Sequence, residues 1–118
     1  MPIDFKDLEF ETVLVLSTKH ITIADSYMLS AEAATNQKGL PSDVFVVHGY
    51  PEGFWVYIPT NKEDFDDTLK QAKARGYSDS MLTLLHFITD LRDVGKAVTH
   101  LRLDRDGETV GVLPHHEW

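Results

Sequence analysis

Read for where apolar and polar positions fall, the chain is best organised around residues 43–59, DVFVVHGYPEGFWVYIP. Two runs of β-branched and aromatic residues flank Tyr50-Pro51-Glu52-Gly53, a turn with Pro second and Gly last, which predicts a β-hairpin. A turn at that place sets His48 opposite Trp55, Val46 opposite Tyr57 and Phe45 opposite Ile58. Phe45, Val47, Val56 and Ile58 then share one wholly apolar face, the candidate core. Val44, Val46, His48, Trp55 and Tyr57 share the other.

The same reading extends along the chain. Ile3, Phe5, Leu8 and Phe10 alternate loosely with acids, as an edge strand or an arm would. TVLVLS at 12–17 is a short continuous apolar run, the pattern of a strand buried on both faces. Thr22 with Asp25 three residues on reads as a helix start, and Ile23, Tyr27, Ala31 and Ala34 form the expected buried stripe, ending near Asn36. Thr60-Asn61-Lys62-Glu63 repeats the capping-box wording, followed by a stripe of Phe65, Leu69 and Ala72. Gly76 and Tyr77 close that helix. Ser78 caps a third helix, whose Met81, Leu84, Leu85, Ile88 and Leu91 give the strongest amphipathic signal, and Gly95 stops it. Asp106-Gly107 between 97–104 and 108–113 predicts a second hairpin, with Leu103 opposite Val110 and Leu101 opposite Val112.

The predicted order is therefore β-α-β-β-α-α-β-β. It describes an α+β fold, one domain over residues 1–118, with helices packed on a mixed or mostly antiparallel sheet. If the helices cover one face only, the Trp55/Tyr57 face is open or meets a partner.

Charge and composition narrow the function. With 11 Lys and Arg against 19 Asp and Glu the net charge is −8, which argues against direct binding to nucleic acid phosphates. The absence of Cys removes disulfides, thiolate metal sites and Cys nucleophiles, and suits a cytoplasmic location. No apolar run spans a bilayer, and the acidic start is unlike a signal peptide, so no membrane association is expected.

Candidate chemistry is sparse. His115-His116-Glu117 suggests a metal, but adjacent side chains on an extended chain point apart, and a flexible polar tail with Trp118 packed back on the body accounts for it. Asp104 and Asp106-Gly107 lack the rest of a calcium loop. No metal or cofactor is expected. His20, His48, His86 and His100 are dispersed, without a nucleophile motif beside them, so no catalytic residue is assigned. The acids Glu63, Asp64, Asp66 and Asp67 stabilise the start of their helix through its dipole, and with the acids of residues 4–11 they could form one acidic face. The contact candidates are Trp55, Tyr57, His48 and Val46, because aromatics are favoured at binding hot spots.

Three stretches together, LSTKHIT at 16–22, GFWVYIP at 53–59 and LRLDRDG at 101–107 followed by Leu113-Pro114 and Trp118, resemble a family of small uncharacterised proteobacterial proteins, often borne on plasmids and other mobile elements. The resemblance implies a bacterial, cytoplasmic, single-domain protein and carries no catalytic residue. Three functions follow as expectations. The first is a non-enzymatic module that binds a protein partner, or itself, through the Trp55/Tyr57 face. The second is an acidic DNA mimic directed against a restriction or CRISPR effector. The third is a small enzyme using His48 or His20.

Overall fold

A computed structural model describes residues 10–118. In chain order the elements are β1 (Val13–Ser17), a 3-10 turn (Thr18–His20), α1 (Ile23–Gln37), β2 (Val47–Tyr50), β3 (Gly53–Tyr57), α2 (Lys62–Arg75), α3 (Asp79–Asp93) and β4 (His100–Asp104). The strands form one sheet in the order β1-β4-β3-β2, with β1 parallel to β4 and the other two pairings antiparallel. The fold is α+β, as the alternation of strand-like and helical patterns implies. The expected arm or edge strand ahead of β1 falls almost entirely outside the described residues.

The central hairpin forms in the expected register. Val47 pairs with Val56, His48 with Trp55, and Tyr50 with Gly53, while the Tyr57 N–H donates to the Val46 carbonyl at 3.0 Å. Phe45, Val47, Val56 and Ile58 are all buried. They join Leu101 and Leu103 of β4, Leu29 of α1, Phe65 and Ala72 of α2, and Met81, Leu84, Leu85 and Ile88 of α3 in one core. All three helices therefore lie on one face of the sheet. Their ends follow local chemistry. Thr22 and Asp25 form a capping box, Asn61 and Ser78 accept from the first turns of α2 and α3, and Gly76 takes the left-handed conformation at φ 103° while Tyr77 folds back to the Ala72 carbonyl.

Three expectations are corrected. The second hairpin does not form, and the sheet has four strands. Both sides of β4 are already occupied: Leu103 stands between Leu16 and Phe54, and Leu101 between Leu14 and Val56. Residues 108–113 have no edge of β4 left to pair with. Asp106-Gly107 still makes a turn, closed by the Gly107 N–H on the Asp104 carbonyl, and the Glu108 carbonyl then accepts from the Ser17 N–H on the outer side of β1. The backbones pass so closely there that a Cβ on Gly107 would lie 2.6 Å from the Leu16 carbonyl oxygen.

The second correction concerns β1. It is an edge strand, with Val15 exposed, and only its end is buried on both faces. The third concerns α1. Its apolar stripe of Ile23, Tyr27, Ala31 and Ala34 faces solvent, and Asp25, Ser26, Leu29 and Glu32 face inward. The two buried carboxylates are tied to the next layer. Asp25 accepts from the Ser78 N–H and hydroxyl, and Glu32 accepts from the N–H groups of Val44 and Phe45 and from the Tyr77 hydroxyl. Periodicity identified a helix here, but hydrogen bonding decided which side turned in.

Candidate functional site: the open face of the sheet

Opposite the helices, alternation along four strands brings three rows of side chains to one face. The first row is Val15, Arg102, Trp55 and His48. The second is Val13, His100, Tyr57 and, just before β2, Val46. The third is Ser17, Asp104, Gly53 and Tyr50. Among the described residues the first two rows are the open ones, with Tyr57 43% exposed, Val46 49% and His48 exposed, whereas Ser17 and Asp104 of the third row are buried. All four contact candidates from the hairpin thus share this face. Val46, His48, Trp55 and Tyr57, joined by Glu11 and His100, line a shallow groove of about 510 Å³. The His100 ring stands edge-on to both aromatics, with centroids 6.0 Å from Trp55 and 5.7 Å from Tyr57.

The contribution of β4 was not expected. Arg102 lies across the face with its Cζ 5.5 Å from the Tyr50 ring centroid and 5.8 Å from that of Trp55. Its Nε donates to the Tyr50 hydroxyl at 3.0 Å and its Nη2 to Asp104 Oδ2 at 3.2 Å. The Tyr50 hydroxyl in turn donates to Asp104 Oδ2 at 2.8 Å, and the Asp106 N–H donates to Oδ1 at 2.8 Å. Tyr50 reaches β4 because the intervening position on β3 is Gly53, which has no side chain to stand in the way. No other residue fits there, since a Cβ would lie 1.7 Å from the Leu103 carbonyl oxygen.

The electrostatics follow from these bonds. The Asp106 N–H, then the Tyr50 hydroxyl and Arg102, hold the Asp104 carboxyl below the usual carboxylate range. Burial, aided by Asp104, raises the Tyr50 phenol, while Arg102 pulls the other way. Arg102 is raised, first by its bond to Tyr50. The set is an ionised pair braced by a neutral tyrosine. The polar alternation His100, Arg102, Asp104 against Leu101 and Leu103 was the signal that could have placed it. Reading 97–104 as one arm of a hairpin hid it.

The remaining candidates lie elsewhere. Glu63, Asp64, Asp66 and Asp67 are exposed on α2, and none forms an ion pair among the described residues. The partner half of the expected acidic face, apart from Glu11, lies outside the described residues. His20 is buried: its Nδ1 is 2.7 Å from the Pro114 carbonyl and its Nε2 accepts from the Val110 N–H at 2.9 Å, so the Nδ1–H tautomer satisfies both. Both ring nitrogens are engaged by backbone.

The tail is not the flexible segment expected. The His116 N–H donates to the Lys19 carbonyl at 2.7 Å, His116 Nε2 meets the Ser80 hydroxyl at 2.7 Å, and the Trp118 indole donates to the Ile21 carbonyl at 3.1 Å. Among the described residues no three His, Cys, Asp or Glu side chains gather as a metal would require, and no helix is long and apolar enough to cross a membrane.

Fold and site together define an α+β domain with one sheet face covered by helices and the other carrying aromatic and basic side chains. The chain belongs to the family of unknown function DUF5983, whose C-terminal domain model matches residues 13–118. No curated protein and no solved structure matches it.

Proposed function

We propose that the domain is a non-enzymatic protein-interaction module whose contact surface is the open sheet face. The observation that carries this reading is the in-register assembly of Val46, His48, Trp55 and Tyr57 on the side of the sheet opposite all three helices. Aromatic side chains held on a rigid sheet offer large contact area at little conformational cost, which is how binding hot spots are built. The resemblance to plasmid-borne bacterial proteins supports a cytoplasmic role as an accessory of a mobile element.

The test is the double variant Trp55→Ala/Tyr57→Ala, compared with the unchanged protein by thermal melting, by sedimentation velocity and by retention of partners from nuclease-treated bacterial lysate at low and high salt. The expected result is a folded variant that has lost a self-association or a retained partner, with the loss seen at both salt concentrations. A variant that unfolds would show that the two aromatics support the fold. A folded variant that associates as before would overturn the reading. A partner that survives the double substitution but leaves at high salt would instead favour the exposed acids of α2.

A further inference from the structure

We propose that the partner presented to this face is an acidic peptide segment, with a carboxylate received by the free side of Arg102 and an apolar or aromatic side chain laid on Trp55. This deepens the interaction-module reading and rests on it.

Arg102 leaves part of its guanidinium unused. A guanidinium has five N–H donors in a fixed plane. Here Nε is engaged by Tyr50 and Nη2 by Asp104, whereas Nη1 makes no hydrogen bond among the described residues, and the side chain is 38% exposed. Two ring contacts and two hydrogen bonds hold the group in one orientation before any ligand arrives. A held fork with a free side suits a carboxylate, which accepts two parallel N–H bonds.

Donor complementarity points the same way. The chain carries −8 overall with histidine neutral, and among the described residues the rows of the open face set the N–H donors of Arg102, His48 and His100 against one acid, Asp104. Both Asp104 oxygens are already engaged, Oδ1 by the Asp106 N–H and Oδ2 by Tyr50 and Arg102. Glu11, at the rim of the groove, is the other carboxylate nearby. Among the described residues the face therefore has donors to offer and few acceptors. Spacing adds a pattern. The Arg102 Cζ and the Trp55 ring are 5.8 Å apart, close to the ~6.6 Å between alternate residues of an extended chain. An acid and an aromatic residue two positions apart can reach both.

The probes are a capped hexapeptide Ser-Glu-Ser-Tyr-Ser-Glu, which sets Glu and Tyr two positions apart, and its Gln/Tyr counterpart with Gln in place of each Glu, titrated into the full chain by calorimetry and by NMR of the arginine Nε–H and tryptophan indole signals. The Glu/Tyr peptide is expected to move the Arg102 and Trp55 signals. Arg102→Gln should weaken it by about tenfold or more, Arg102→Lys by less, and the Gln/Tyr peptide should bind the unchanged protein about tenfold more weakly. Tyr50→Phe, which removes a brace and no peptide contact, should weaken it about threefold.

Equal affinity in Arg102→Gln, or no binding at about 1 mM peptide, overturns the proposal. If both peptides bind alike and Trp55→Ala/Tyr57→Ala abolishes both, the acidic chemistry falls while the interaction face stands. If the unchanged protein associates only with itself through this face, a second copy is the occupant and the proposal falls. If neither peptide binds and the double variant associates as before, both readings fall.

Discussion

Two tyrosine–carboxylate pairs sit on opposite sides of this molecule, and they differ in what surrounds them. Tyr77 and Glu32 lie between α1, the start of the hairpin and the α2–α3 junction, both buried, with the second Glu32 oxygen accepting from the N–H groups of Val44 and Phe45. Each donor there meets an acceptor and no guanidinium bonds to either group, although the pair borders a cavity of about 420 Å³ whose lining includes Arg75. Tyr50 and Asp104 lie on the open face with a guanidinium added, and that guanidinium retains unused donors. The first pair resembles a staple that replaces apolar packing between layers. The second fixes an arginine in place on a surface. Both carboxylates are buried; the two groups serve structure where the tyrosine is buried as well, and presentation where the tyrosine and an added guanidinium are partly exposed.

The sharpest way to break the comparison is to remove the buried acid. Glu32→Ala leaves two backbone N–H groups and the Tyr77 hydroxyl without their acceptor in a largely buried site. Unsatisfied buried donors cost ~1–3 kcal/mol each, so a loss of about 3 kcal/mol or more is expected, a fall of ~10 °C or more in Tm for a chain of this size. Thermal and urea unfolding measure it. A variant that melts like the unchanged protein would mean that water replaces the carboxylate and that the sealed pair is not a staple.

Much of this contrast was legible in the sequence on one side only. The hairpin at 43–59 could be read to its register because strand alternation and turn residues are local, and they agreed. The Ser78 cap of α3 was local too, and the cap of α2 fell at Asn61, one residue after the Thr60 that opens the expected box. The orientation of α1 was not, because Asp25 and Glu32 turn inward to partners 53 and 45 residues away, which no window on the helix contains. The missing second hairpin has the same cause. Asp106-Gly107 is a genuine turn, but the neighbours of β4 come from β1 and β3, and distant pairing overrode the local signal. Half the candidate site was therefore visible. His48, Trp55, Tyr57 and Val46 were placed by the hairpin, whereas Arg102 and Asp104 joined them only once the strand order was known.

A smaller effect, from the same staple, tests its hydroxyl. Tyr77→Phe keeps the ring against Phe45, whose centroid is 5.2 Å away, and removes one hydrogen bond. The expected loss is about 1–2 kcal/mol near neutral pH. Its pH dependence is diagnostic. Burial first, and the Glu32 bond and charge second, push the Tyr77 phenol far above its ordinary value. A raised tyrosine contributes stability that is complete below the unfolded value of about 10 and is lost as pH rises beyond it. The gap between unchanged protein and Tyr77→Phe should therefore narrow in alkali. A constant gap would mean that the phenol ionises as easily in the folded chain as in the unfolded one.

The smallest effect on stability is expected at the open pair, and its sign is opposite. Asp104 is held below the usual carboxylate range, so its contribution is present above the unfolded value of about 4 and disappears as pH falls through and below it. Asp104→Asn removes that acid-side slope and should cost less Tm at neutral pH than Tyr77→Phe does, because Arg102 and Tyr50, the groups it frees, are partly exposed even though Asp104 itself is as buried as Glu32. Its larger consequence falls on Arg102, which loses its ionic partner and one of its two hydrogen-bonded anchors. The Arg102 Nε–H signal should then move while the fold persists. If Asp104→Asn instead lowers Tm as far as Glu32→Ala does, the open pair is as structural as the buried one, and the distinction between a staple and a presenting surface collapses.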